Sequence, residues 1–250
     1  MRVSGFPLLM ACALLLCGLL AATPAGAGTS PSPDPLWDLA VAIVAANDGW
    51  TAGTILFVAT ETNGKGEARR TSEITVRSVA DEHGGARQEV VRYVENGRDL
   101  TEQKRGEQSA DGSRGQQSSW NLSDPRQTPF HPATQPEVTF RRLDARRSIA
   151  GRECVGFAYE QGSGARERTV GTAWLEAQTG APLAIEAAPD PLPPLVQRAR
   201  MEVRFEYTPE GAWYPTRFVA EGTAVILFVK RGFSMDLTFT DHWRTAGESP

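Results

Sequence analysis

Three histidines, a few cysteines and scattered carboxylates are the side chains in this chain that could do chemistry. A zinc or other metal centre needs His, Cys or carboxylate ligands at repeated short spacing. His83, His131 and His242 each lack a second His or Cys at such a spacing, and no HExxH or CxxC occurs. No metal ligand and no cofactor is therefore assigned. Asp241-His242 is only an adjacent pair, and neighbours along a strand point to opposite faces. Nucleophilic catalysis has no better signal. Gly162-Ser163-Gly164 reads as a hairpin turn, without the GxSxG elbow. Cys154 has no local His or helix start to activate it, so it reads as a buried thiol behaving as a small apolar residue. There is no P-loop and no GxGxxG ahead of a helix. Glu73, Glu89, Glu186 and Glu206 fall on separate strand candidates with alternating pattern. A hydrolase of glycosidase type would need two of them to converge in a cleft. A solvated outer sheet face accounts for them more simply. The chain is read as a non-enzyme, with a carboxylate hydrolase kept as an alternative.

The N-terminus carries a targeting pattern. Arg2 is a short basic start, residues 6–22 are apolar, and Ala25-Gly26-Ala27 supplies small residues for cleavage. This reads as a signal peptide over residues 1–27, cut near Ala27, which places the protein in the periplasm or outside the cell. Cys12 and Cys17 would leave with it, so Cys154 would have no disulfide partner within the chain. Cleavage also removes one Arg and no acid, so 26 basic residues become 25 against 30 acidic ones and the formal charge becomes −5. That balance gives no electrostatic footprint for nucleic acid. The remaining chain of about 220 residues is long enough for one large core.

The elements that must position any site are mostly strands. Residues 28–35 form a Ser/Pro linker. Asp34 can cap a helix with Pro35 in its first turn, and Leu36, Leu39, Ala40, Ile43 and Val44 follow at helical spacing. Trp37 on this helix reads as a packing anchor. Strand candidates then recur about every ten residues: 54–61, 72–79, 88–95, a short return over 98–104, 138–143, 149–159, 167–176 and 182–187. Gly151 and Gly156 read as bulge or close-approach points. The clearest pattern comes last. Met201, Val203, Phe205 and Tyr207 alternate with Glu202, Arg204 and Glu206, and Met235, Leu237 and Phe239 alternate with Ser234, Asp236 and Thr238. Gly222 and Gly232 read as breaks between short strands.

These elements predict a mainly β fold with one N-terminal helix. Its sheet would be antiparallel and strongly curved, a half or open barrel packed on the helix, in a single domain over residues 36–245. Residues 106–136 are rich in Ser, Gln, Gly and Pro, and form a long loop with room for one short further helix. Within it Trp120, Leu122 and Phe130 are apolar islands, read either as a lid or as pins holding the loop to the surface. The concave side of the sheet would carry Val203, Phe205, Leu227, Met235, Leu237 and Phe239, which line an apolar cavity or form plain core.

Two segments carry a family resemblance. One is Gly211-Ala212-Trp213-Tyr214-Pro215-Thr216-Arg217. The other is Gly171-Thr172-Ala173-Trp174-Leu175 followed by Thr179-Gly180-Ala181-Pro182-Leu183. With the leader, linker, helix and long meander, they resemble the LolA/LolB-like superfamily of periplasmic proteins. That group includes lipoprotein-sorting carriers and RseB-type sensor domains. The resemblance implies a half barrel of eleven-stranded type, closed by helices around a cavity for lipid acyl chains. The chain departs from the carriers where they place a basic residue and Pro after an early strand, since Arg77 is followed here by Ser78. The expected function is an exported binding protein for a lipid or lipoprotein acyl chain, similar to outer membrane lipoprotein sorting. The alternative is a sensor or interaction module that docks another envelope protein.

Overall fold

The computed structural model describes residues 34–80, 86–110, 128–162, 168–226 and 228–244. The expected leader, His83, Trp120, Leu122 and Leu227 lie outside these ranges. Helix α1 spans Pro35–Ala46, and Asp34 caps it by accepting a hydrogen bond from Leu36 N at 2.9 Å. Strands β1 (Trp50–Thr51), β2 (Thr54–Thr62), β3 (Ala68–Ala80), β4 (Ala86–Glu95) and β5 (Arg98–Asp99) follow. Helix α2 spans Thr101–Ala110, and a 3-10 segment spans Pro132–Glu137. The second half holds β6 (Val138–Ile149), β7 (Arg152–Gln161), β8 (Arg168–Glu176), β9 (Pro182–Asp190) and β10 (Val196–Tyr207). It ends with β11 (Trp213–Ile226), β12 (Val229–Thr240) and β13 (Trp243–Arg244).

Eleven strands form one antiparallel sheet in the order β5-β4-β3-β2-β12-β11-β10-β9-β8-β7-β6. The sheet is not closed, and β5 and β6 are its edges. It consists of two meanders, β2 to β5 and β6 to β12, joined where β2 pairs with β12 from Thr54↔Thr240 to Thr62↔Gly232. Strands β1 and β13 form a separate two-stranded ribbon.

Register assigns the side chains to two unlike faces. Leu237 lies opposite Phe218 on one side and Phe57 on the other, and Met235 lies likewise between Ala220 and Ala59. Val203 faces Phe218 and Ile185. This inner face is apolar from β3 to β8 except at one end, where Glu61, Arg70 and Arg231 fall on the same rows. The outer face carries cross-strand ion pairs: Arg92–Glu73, Arg217–Asp236, Arg198–Glu221 and Arg200–Glu186. Each such pair contributes only about 0–1 kcal/mol. Their main effect is to keep one face wet, which fixes which face is buried.

Several expectations are corrected. The chain has a second helix, α2, where 98–104 was expected to return as a strand; β5 is only Arg98–Asp99. Asp99 Oδ1 accepts from Thr101 N at 2.9 Å, which turns the chain, and the following Glu-Gln-Lys-Arg run has no alternating pattern. Gly222 and Gly232 do not break strands but lie inside the continuous β11 and β12. Gly222 pairs with Phe233, and a Cβ there would sit 2.7 Å from Phe233 Cε1 and 2.6 Å from Arg198 O. The missing side chain makes room for the phenyl ring, so the glycine is a packing device. The expected strand over 149–159 is split. Ala150 and Gly151 both have positive φ, 49° and 79°, and form the two-residue turn between β6 and β7.

Candidate binding face

Helix α1 is fixed to the sheet by aromatic packing. Trp37 stacks on Phe140 at 4.1 Å between ring centroids and lies 4.5 Å from Phe130 and 5.7 Å from Phe157. Its Nε1 donates to Gln135 Oε1 at 3.1 Å, and Gln135 Nε2 donates to Pro129 O at 2.6 Å. The 3-10 segment thereby holds the indole from above. Ala40 and Val44 complete the buried stripe of the helix. At its end, Asn47 Nδ2 donates to Ile43 O and Gly211 O, while Asn47 Oδ1 accepts from Trp50 Nε1 and from the buried Trp213 N. Trp213 in turn stacks on Phe205 at 4.3 Å and donates through Nε1 to Pro182 O at 2.7 Å.

The two resembling segments thus have concrete roles. In β8, Ala173 and Leu175 are fully buried beneath α1. Trp174 points to the outer face, where the Arg147 guanidinium lies 4.3 Å from its ring centroid. Opposite it, Gly156 leaves space for the indole, since a Cβ would lie 3.1 Å from Trp174 Cζ3.

The residues expected to line a cavity share the inner face. Met235, Leu237 and Phe239 are buried in one cluster with Met201 and Phe218. Phe205 belongs to the cluster under α1, and Val203 packs against both. Leu227 lies outside the described residues. Of the three loop aromatics and aliphatics, Phe130 is fully buried against Trp37, and Trp120 and Leu122 lie outside the described residues.

The open part of the inner face lies elsewhere. Ile55 on β2, Ile74 and Val76 on β3, and Phe233 on β12 are only partly buried. In strand order they sit between the part under α1 and the part beside α2. Their alternation is visible in sequence, but their alignment with the β12 row depends on the β2–β12 pairing. A polar corner borders this strip. Tyr93 is buried beside Ile74 in register, and its hydroxyl donates to Glu95 Oε2 at 3.2 Å. Burial first, then the charge of Glu95, push the Tyr93 phenol up to about 12. The Arg70 guanidinium, 2.7 Å from Glu95, holds that carboxyl below its usual range. Lys104 of α2 lies 5.6 Å from the centroid of the Tyr93 ring.

Among the described residues the remaining chemistry-bearing groups do not converge. Among the described residues no three His, Cys, Asp or Glu side chains could hold a metal ion. Glu73, Glu89 and Glu186 are paired with Arg92, Arg87, and Arg147 with Arg200. Glu186 lies directly opposite Glu202 in register, but on the outer face and among arginines. Cys154 is buried, and burial pushes its thiol up. His131 Nδ1 accepts from Ala133 N at 3.2 Å and caps the 3-10 segment.

His242 stacks on Tyr214 at 4.1 Å, and its Nε2 lies 2.8 Å from Pro215 O, so that nitrogen carries the proton. Burial lowers its pKa below the ordinary 6.5, against the opposing pull of Pro215 O, Glu206 and Asp241. The unfolded chain therefore takes up the second proton first. Stability is full above about pH 6.5 and falls as the pH drops toward the lowered pKa. Urea titrations between pH 5 and 7.5 should show this slope. His242→Gln should flatten it, and an unchanged slope in that variant would assign the effect to other groups.

No family model matches the chain, and no curated protein matches it. Solved structures similar to it include the following three. A domain from Vibrio parahaemolyticus described as an outer membrane lipoprotein-sorting protein shares 15% identity at a TM-score of 0.39, over 85% of this chain and 93% of that one. A DUF1329 family protein from Desulfovibrio piger shares 14% at a TM-score of 0.34, over 87% and 96%. A LolA superfamily protein from Nitrosomonas europaea shares 11% at a TM-score of 0.35, over 86% and 93%. These neighbours include the superfamily that the two sequence segments resemble.

Proposed function

We propose that this chain is an exported, non-enzymatic binding protein that holds an apolar ligand, a lipid or a lipoprotein acyl chain, on the inner face of its sheet. One observation carries the reading. The apolar inner face extends past the area covered by α1: Ile55, Ile74 and Val76 stay partly exposed, and Ile74 lies opposite Tyr93 of the polar corner formed with Arg70, Glu95 and Lys104. An apolar strip ending in a few fixed polar groups suits an amphiphile, with its chain on the strip and its polar end at the corner. In this reading the sheet bends into a half barrel around the chain, residues 36–245 act as one domain, and the site lies in the periplasm or outside the cell. Export is supported by Arg2, the apolar run 6–22 and the Ala25-Gly26-Ala27 site. The non-enzymatic reading is supported by the separation of His131, His242, Cys154 and the arginine-paired carboxylates.

Native mass spectrometry after mild purification tests the reading directly. The expected result is a bound mass in the lipid range, together with uptake of an apolar fluorescent dye that lipid displaces. Ile74→Asn should weaken dye binding by about tenfold, the scale of one aliphatic side chain's burial, with little loss of thermal stability. A second variant, Val76→Phe, narrows the strip without adding polarity and should also reduce uptake. A protein that never carries lipid and takes up no dye would sink this reading.

A further inference from the structure

One end of the sheet is tipped with apolar side chains in backbone conformations they rarely adopt. Phe228, at the β11–β12 hairpin, is 99% exposed and has φ 68°. Leu195, in the connection from β9 to β10, is 67% exposed and has φ 71°. Positive φ is uncommon for any residue with a side chain and marked for bulky ones. A turn that faces only water normally places Gly or Asn there. Here the two positions carry Leu and Phe. The tips are tied together, because Val225 N donates to Leu195 O at 2.9 Å. Val229 and Leu192 add 47% and 39% exposure beside them.

The charges around this end are arranged behind the tip. Arg231 pairs with Glu61, Arg198 with Glu221, and Arg168 with Asp190. Lys230 follows the tip directly and is exposed. The β2–β3 turn lies beside it, with the Cβ position of Gly64 3.6 Å from Lys230 Cβ, and this turn presents the exposed Lys65. Glu67 in the same turn accepts from Asn63 Nδ2 at 2.7 Å. The result is an exposed tip that carries Phe228, Leu195, Val229 and Leu192, with the ammonium groups of Lys65 and Lys230 beside it. That order of groups matches a lipid interface, where apolar side chains enter the acyl boundary and lysines extend back to the headgroups.

We infer that Phe228 and Val229 at the start of β12, together with the Leu192–Leu195 connection, form a prong that docks the protein on the surface of a lipid bilayer. This surface is at the end of the sheet and does not rest on the binding role given to the inner face. The test is flotation with vesicles of phosphatidylethanolamine and phosphatidylglycerol, and with phosphatidylcholine alone. It uses the protein as recovered from expression, with its N-terminus determined by mass, so that every variant shares one N-terminus. The unmodified protein should float with the mixed vesicles. Phe228→Asp should bind them at least about tenfold more weakly, the scale of burying one large apolar side chain, and Leu195→Asp should act in the same direction. Phe228→Trp should restore binding. All three variants should keep the melting temperature and dye uptake of the parent, so a failure here differs from a failure of the inner-face reading. Equal binding to phosphatidylcholine would assign the contact to the apolar tip, and preference for phosphatidylglycerol would add Lys65 and Lys230; both support the prong. Absence of flotation overturns it, as does undiminished flotation of Phe228→Asp. A protein that self-associates through Phe228 in solution without binding vesicles also overturns it.

Discussion

Trp37→Ala should lower the free energy of unfolding by about 3–5 kcal/mol, the largest effect expected from a single truncation in this molecule. The indole is fully buried and touches three other aromatic rings, with Phe140 stacked at 4.1 Å. Its removal leaves a cavity between α1 and the sheet, and it strips Gln135 Oε1 of its 3.1 Å donor. Domains of this kind are stable by roughly 5–15 kcal/mol in total, so the variant should sit near the edge of folding. Trp37→Phe separates the two contributions. It keeps most of the apolar area and loses the hydrogen bond, and should cost about 1 kcal/mol plus a smaller packing loss. Urea denaturation followed by far-ultraviolet circular dichroism measures both. A loss under about 1 kcal/mol for Trp37→Ala would mean that α1 is not held by this ring.

Asn47→Ala should cost about 2–4 kcal/mol although it removes only a small polar side chain. The side chain makes four hydrogen bonds, two given and two received, to α1, to Trp50, to Gly211 and to Trp213. The truncation leaves the buried N–H of Trp213 without its acceptor, and that orphaned donor carries most of the cost. Asn47→Asp is the sharper variant. It keeps the acceptor for Trp213 but turns a carboxylate toward the carbonyls of Ile43 and Gly211. It should be as damaging as Ala near neutral pH and should recover in part below about pH 4, where the carboxyl regains a proton to donate. Equal stability of Asn47→Asp and the parent at neutral pH would show that the donor half of the side chain is dispensable.

Much of the sheet was legible from alternation alone. The Met201–Tyr207 and Met235–Phe239 rows are strands with the expected inward residues, because one wet and one dry face force a period of two. Trp37 as a packing anchor was also readable, since a large aromatic sat in the apolar stripe of a capped helix. Helix α2 was not readable. It lies at the sheet edge with few apolar neighbours, so its sequence carries no 3.6-residue stripe, and its main tie is Arg105 donating to the carbonyls of Val90 and Val91. Gly222 misled because a glycine that seats an aromatic ring looks the same in sequence as one that ends a strand. The open strip of Ile55, Ile74, Val76 and Phe233 was hidden for a different reason. Local pattern says that each residue faces inward on its own strand, but only the pairing of β2 with β3 sets Ile55 against Val76 and Ile74 against Phe57, and only the β2–β12 register places Phe233 farther along, opposite Glu61.

That same register has a kinetic consequence. The first and last long strands of the chain are neighbours at the middle of the sheet, with Thr54 against Thr240. The N-terminal meander can form early by local hairpins, but it must wait with an unpaired border until nearly all of the remaining chain is in place. Closing so long a loop makes this seam the slow, high-contact-order step of folding. That waiting border is the segment most exposed to mispairing until the rest of the chain has folded.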